Sequence, residues 1–406
     1  MKRKRRNQWI WIPLFISVLC LLSSGNVQAK EKKEILIGAP IPVTGPFAAL
    51  GKEQKWAYEQ AVHDINGKGG IFVKEDGKRM PVKLIIADAA SNPAKAVAAF
   101  EKLVKVDKVD LMLSSQVLPL VLPTASAAEK LKIYYHATTC SPVMFRKENF
   151  QYSTLYFVED NEVADSPFLV LNSIPEKERP KKLALLAEEG ADGKLFSPFF
   201  RGAAKKFGYT FAADEAYTTG AKDYSSLVLK LKGKGIDSVL LISSPSDAIT
   251  FLRQAKELDL NLRYIHGFKG TWGIEFWNAM DKDANYVLAD GFWNAELPYP
   301  YCKELGQKYK EEFGKHSVFI GLFYALCQTL FQAVENAGTL DDLKVRAAVV
   351  GHQFKGTTMG DIQYKEDGTA SVPPAAFQWW NGELKQVLPF VKDSWKVRLA
   401  PPWDER

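Results

Sequence analysis

The chain has 406 residues, 47% apolar and 25% charged, with 28 glycines and 21 prolines, which excludes a disordered, collagenous or low-complexity polymer and is enough chain for two domains. Its formal charge of +6 misleads, because Lys2, Arg3, Lys4, Arg5 and Arg6 precede every acidic residue. Without residues 1–29 the balance is 48 basic against 47 acidic side chains, too even for the electrostatic footprint of a nucleic-acid binder.

The basic start is followed by an apolar run over 9–22 (WIWIPLFISVLCLL) and by small and polar residues up to Ala29. This is the layout of a cleavable secretory signal, with cleavage expected after Val27-Gln28-Ala29. The run contains Pro13 and falls short of the roughly 20 residues of a membrane anchor. Val18-Leu19 before Cys20 do not make a lipid-attachment site. A periplasmic mature chain is therefore expected.

From there strand and helix alternate. Strands are expected over 35–41, 82–87, 109–113 and 133–135, and helices over 48–66, 93–106 and 118–130, with apolar residues spaced for one buried face. Short apolar strands separated by helices imply a parallel sheet covered on both sides. An irregular polar stretch over 159–167 and a second break at 175–180 separate this series from another. That one has strands over 183–187, 237–242 and 264–266 and helices over 193–207, 223–232 and 247–258. Two further helices, 300–314 and 317–337, meet at a turn around Lys315-His316. They place Cys302 and Cys327 at similar heights, so a disulfide between them and two separate buried thiols both remain open. Short strands over 361–364, 375–380 and 385–388 end the chain, split by Asp367-Gly368 and Asn381-Gly382. The fold class is α/β, with ligand sites expected outside the carboxyl ends of the strands.

Motifs for metal, nucleotide or hydrolytic chemistry are missing. HExxH, GxSxG, Walker A and GxGxxG do not occur, and five scattered histidines make no ligand pattern. No metal or cofactor is expected. Cys140 beside His136 is the one nucleophile–base candidate for a secreted hydrolase, and four residues across a strand end do not orient the two together.

Several strings together resemble the periplasmic Leu/Ile/Val-type solute-binding proteins, the extracytoplasmic receptors of branched-chain amino-acid ABC importers. The opening carries most of it: Thr44-Gly45-Pro46, Gly51, then Asp64-Ile65-Asn66 with Gly69-Gly70-Ile71. Ile86-Ala87-Asp88 with Asn92-Pro93-Ala94, Ser114-Ser115 after one strand, and HATTCSP over 136–142 after the next also match. Lys222-Asp223-Tyr224-Ser225 and Phe251-Leu252-Arg253-Gln254-Ala255 extend the likeness. It implies a type I periplasmic binding fold: two doubly wound parallel-sheet lobes, 30–157 plus 290–365 and 158–289 plus 366–406, joined by a three-crossover hinge. It also implies a monomer that closes on a small carboxylate and is read by a membrane permease. The other role for such a fold is ligand sensing.

The resemblance places ligand contacts at Ser114, Ser115 and Gln116 and at Thr138, Thr139 and Cys140. Short hydroxyls beside helix starts suit an anion, although they also serve as helix caps. Leu50 and Asp192 stand where relatives carry aromatics, and Cys140 where they carry a threonine. Ser244 and Trp272 complete the expected site, with Trp293 as a second aromatic wall. Where relatives that bind α-amino acids place an acidic residue, this chain has Lys269. A lysine attracts an acid and repels an ammonium, so a ligand that is a carboxylate without an ammonium group is expected.

Overall fold

Strand and helix carry the chain across two large sheets in a computed structural model that describes residues 32–390 and 394–406. Residues 34–406 form one compact unit, and the expected leader lies outside the described residues. β1 (Ile35–Ile41) is apolar throughout and buried, as a strand covered on both faces must be. It leads into α1 (Ala48–Gly67), which starts hard against the strand's end. A Cβ on Gly51 would lie 2.1 Å from the Pro42 carbonyl oxygen, so only glycine fits there. A hairpin of β2 (Ile71–Val73) and β3 (Lys78–Met80) precedes β4 (Val82–Asp88). α2 (Pro93–Lys105) opens on an Asn92 cap and a proline in its first turn.

β5 (Leu111–Leu113), α3 (Leu118–Leu131), β6 (Tyr135–Ala137), α4 (Pro142–Lys147) and β7 (Ser153–Phe157) complete the first series. β6 starts two residues later than the sequence pattern suggests, because pairing with β5 begins only at Tyr135. The stretch expected to be irregular is instead a helix, α5 (Asp160–Ser173), running through Pro167. Three of its polar residues are buried and paired: Asp160 accepts from Ser141 at 2.6 Å, Lys206 donates to Asp165 at 2.5 Å, and Ser166 donates to Asp290 at 2.7 Å. Buried partners of this kind hide a helix from hydropathy patterning.

β8 (Leu183–Glu188), α6 (Ala191–Lys206), β9 (Phe211–Tyr217), α7 (Ser225–Gly233), β10 (Ser238–Ser243), α8 (Pro245–Glu257) and β11 (Tyr264–Lys269) form the second series. α9 (Ile274–Met280) and β12 (Leu288–Gly291) follow. The chain then returns through α10 (Cys302–Phe313), α11 (Ile320–Ala337) and α12 (Asp342–Ala347). α11 packs on α1, with Tyr58 and Phe323 edge to face. A hairpin of β13 (Gln353–Thr357) and β14 (Gly360–Gln363) precedes β15 (Thr369–Ser371), β16 (Ala375–Trp380) and β17 (Glu383–Leu388).

The first sheet runs β15-β7-β6-β5-β1-β4 and the second β17-β16-β12-β11-β10-β8-β9. All pairings in the first are parallel, and β16 and β17 add an antiparallel edge to the second. The chain passes between the sheets three times, after β7, after β12 and between β15 and β16. Val158, Gly291–Phe292 and Pro374–Ala375, one from each passage, line a shared gap. Cys302 and Cys327 are free, buried thiols, which settles the choice left open by their spacing. Cys302 Sγ is held by the Trp293 indole N–H at 3.1 Å and donates to the Thr358 carbonyl at 3.2 Å. No helix among the described residues is long and apolar enough to cross a membrane.

Candidate functional site

At the carboxyl end of the first sheet, the loops after β5 and β6 are buried although rich in hydroxyls. Ser114 Oγ donates to the Thr138 carbonyl (3.2 Å) and accepts the Thr138 N–H (3.1 Å), so it clips one loop to the other. Gln54 reaches over from α1, and its Nε2 donates to the carbonyls of Ser114 (3.1 Å) and Ser115 (3.0 Å). Tyr135 OH takes the Ser115 N–H at 2.8 Å and pairs with Thr124 at 2.9 Å. Burial pushes its phenol up to about 12. Gln116 Oε1 and Thr139 Oγ1 both accept the Val117 N–H, at 3.1 and 3.3 Å, just before α3 begins.

These bonds fix the loops and leave four buried polar atoms without a hydrogen-bond partner among the described residues: Gln54 Oε1, Ser115 Oγ, Gln116 Nε2 and Thr138 Oγ1. Buried polar atoms are normally satisfied, and each orphan costs about 1–3 kcal/mol. The four come from three different elements at one sheet end: one hydroxyl from each loop, an amide N–H and an amide oxygen. The positive end of α3 adds a preference for negative charge.

Cys140 belongs to the same loop, but its side chain packs in the apolar cluster around Phe100, Phe145 and Phe150. Its thiol donates to the Ser141 carbonyl at 3.8 Å, and burial pushes its pKa far above the thiol range. His136 is engaged with Tyr134 (2.8 Å), Thr154 (2.9 Å) and Thr329 (2.8 Å), and burial lowers it to about 3. A thiol held protonated and an imidazole held neutral, each bonded elsewhere, are not a nucleophile–base pair. Leu50 lies one turn before Gln54 on the same side of α1, half-buried against the core.

The second sheet ends differently. β8 delivers Glu188, 5% exposed, and α6 begins directly over it. A Cβ on Gly193 would lie 1.7 Å from the Glu188 carbonyl oxygen, so the close start depends on that glycine. Asp192 sits in the first turn of α6. Lys269, the last residue of β11, puts its ammonium onto Asp192 and 3.6 Å from Glu188 Oε1. The lysine that the sequence offered to a ligand carboxylate is thus already paired. Burial alone would lower its pKa, but Asp192 and Glu188 outweigh that and hold it raised. Glu188 is raised by burial, against the pull of Lys269 and with the push of Asp192 and Asp247. Asp247 Oδ1 takes the Gly220 N–H at 2.9 Å and Tyr224 OH at 3.0 Å, whereas Oδ2 is buried with no partner among the described residues.

Ser244 caps α8 by accepting the Asp247 N–H at 3.3 Å. Trp272 stands edge-on to Phe268 and Phe292 (5.4 Å each) and Phe319 (5.6 Å), bridging the end of β11, the second passage and the start of α11. Its indole N–H has no partner among the described residues. Trp293, expected as a second wall, is core instead: it is 1% exposed and packed onto Gly321. Sequence reasoning missed Gln54, Glu188 and Asp247, whose only signal was position, one turn into a helix or at the end of a strand.

The profile of the periplasmic binding protein family matches residues 34–383. Over 356 residues the chain is 26% identical to a Leu/Ile/Val-binding protein homolog 3 of Brucella melitensis, covering 86% of this chain and 93% of that one. Among solved structures it is similar to the branched-chain amino acid transporter substrate binding protein LivJ from Streptococcus pneumoniae in complex with isoleucine. That likeness has a TM-score of 0.73 and 21% identity, covering 87% of this chain and 98% of the other. A solute binding protein of an ABC transporter from Rhodopseudomonas palustris, in complex with 3,4-dihydroxy benzoic acid, superposes with a TM-score of 0.72 and 19% identity, covering 90% and 99%.

Proposed function

The chain belongs to the periplasmic binding protein family, in its Leu/Ile/Val type, and we propose that it is an exported receptor that captures a small carboxylate and delivers it to an ABC importer. The observation that carries this reading is the set of partnerless buried atoms at the first sheet end. Ser115 Oγ, Thr138 Oγ1 and Gln116 Nε2 can each donate to a carboxylate oxygen, and bonds to a charged acceptor contribute about 1.5–3 kcal/mol each. Two or three such bonds supply much of the roughly 8 kcal/mol of a micromolar ligand.

The mechanism follows from the three passages. Each sheet with its helices is a lobe, and the passages are the hinge. Ligand held by the hydroxyl recess adds contacts to Asp247 and Trp272 only when the second lobe swings onto it, so binding stabilises the closed form. The permease would read that form. Relatives with solved structures hold isoleucine and 3,4-dihydroxybenzoate, which supports a carboxylate as the shared feature. Titration calorimetry against branched-chain amino acids, their des-amino acids and benzoates tests the reading. A micromolar carboxylate ligand is expected, with a smaller radius of gyration on binding. Absence of binding across the panel, with an unchanged scattering profile, would overturn it.

A further inference from the structure

We infer that Lys269 is a built-in ammonium group: it fills the acidic recess of Glu188 and Asp192 and so bars ligands that would place an amine there. The inference rests on the proposed solute site and specifies what its second half accepts. Lys269 is a non-glycine residue in left-handed backbone (φ 68°) at the end of β11, a conformation that persists where the surroundings hold it. The ammonium lies on Asp192, with Glu188 at 3.6 Å. The recess exists because Gly193 lets α6 start against β8, which brings the two carboxylates to one point.

The charges decide what else can enter. Glu188 and Asp192 share one ammonium, and Glu188 also feels the Asp247 carboxylate, so a second carboxylate arriving here meets acidic groups that one lysine does not balance. A ligand ammonium must displace a lysine tethered to the chain, whose local concentration no free ligand matches. What remains is Asp247 Oδ2, buried and without a partner among the described residues, which takes an uncharged hydrogen-bond donor. The favoured ligand class is a monocarboxylate whose far end carries a neutral O–H or N–H and no amine. Selection against amino acids thus comes from a residue already satisfied by its neighbours, not from a lysine reaching for the ligand.

Chemical rescue tests this without any ligand. Lys269→Ala should melt about 2–4 °C below the parent protein and recover most of that in 50 mM propylammonium chloride, but not in sodium chloride or propanol. The parent should not respond, and adding E188Q and D192N should abolish the recovery. Recovery by propanol as good as by the amine, or none at all, overturns the inference. Should Lys269→Ala not fold, acetic anhydride labelling of folded protein tests the same recess. Lys269 should label at least tenfold faster in the E188Q/D192N variant than in the parent, and equal rates refute the recess. In ligand titrations, the leucine to 4-methylpentanoate affinity ratio should rise at least tenfold in Lys269→Ala. Failure of the ligand-free arms leaves the receptor reading intact, whereas a panel that never binds defeats that reading while rescue can still succeed.

Discussion

The two sheets share one scaffold and differ in what they display at their carboxyl ends. From the edge inward, β4-β1-β5-β6-β7 corresponds strand for strand to β9-β8-β10-β11-β12. Even an internal detail repeats. β6 is preceded by Tyr134, which bonds His136 Nδ1 at 2.8 Å, and β11 begins with Tyr264, which bonds His266 Nδ1 at 2.9 Å. On the far side of each ring the halves part: His136 Nε2 meets the Thr329 hydroxyl, and His266 Nε2 meets the Asp290 carboxylate, both at 2.8 Å. The same division marks the loops, with neutral hydroxyls and amides in one half and, in the other, two carboxylates on a lysine. The scaffold sets where a side chain stands, and a few loop residues decide whether that place is neutral or charged.

The largest test of this contrast is in the histidines. His266→Ala takes one of two donors from the buried Asp290 carboxylate, leaving only Ser166, and should cost about 3 kcal/mol. Thr329→Val removes a neutral hydroxyl and should cost about 1 kcal/mol. Urea denaturation compares them, and equal losses would mean that the bond to a carboxylate contributes no more than the bond to a hydroxyl.

Next comes the ligand. The double variant S115A/T138A should lower affinity for the carboxylate about a hundredfold, roughly 2.7 kcal/mol, as read by calorimetry. Asp192→Asn should change it by far less, since Asp192 already has a partner in Lys269. A larger loss from Asp192 would reverse the proposed division of labour between the ends.

A smaller effect concerns pH. Glu53 on α1, bonded by the Ser317 hydroxyl, is raised to about 7, mainly by burial, with Ser317 and Lys315 opposing and Glu275 adding to the shift. A carboxyl raised in the folded state binds its proton more tightly there than in the unfolded chain. Its contribution is therefore fully present below about pH 4.5 and lost as pH rises to about 7. The melting temperature of the parent should fall across that window relative to Glu53→Gln, and parallel profiles would remove Glu53 from the account. The least effect is expected at the thiols. Cys140, Cys302 and Cys327 are buried and free, so a thiol reagent should leave the folded protein unlabelled and modify all three after denaturation.

Much of this was readable from the residues alone. β1 and β16 fall where alternation and apolar runs place them, because buried strands carry their own signature. Ser114, Ser115 and Thr138 were legible as hydroxyls directly after strands. α5 was not, since Asp160, Asp165 and Ser166 look solvated until Ser141, Lys206 and Asp290 are seen beside them. For the same reason nothing in the sequence singles out Glu188 and Asp247. Lys269 was found without its partners: a sequence shows a charge, and its counterions sit 77 and 81 positions away in the chain.

The order in which the ribbon visits the sheets bears on how the protein is made. β15, an edge of the first sheet, and α11, which covers α1, are both synthesised after the five parallel strands of the second sheet, and β16 and β17 come later still. Neither sheet is complete until the polypeptide is within about forty residues of its end. Both sheets therefore wait on contacts between segments far apart in the chain, which slows folding and leaves their open edges exposed in the interval.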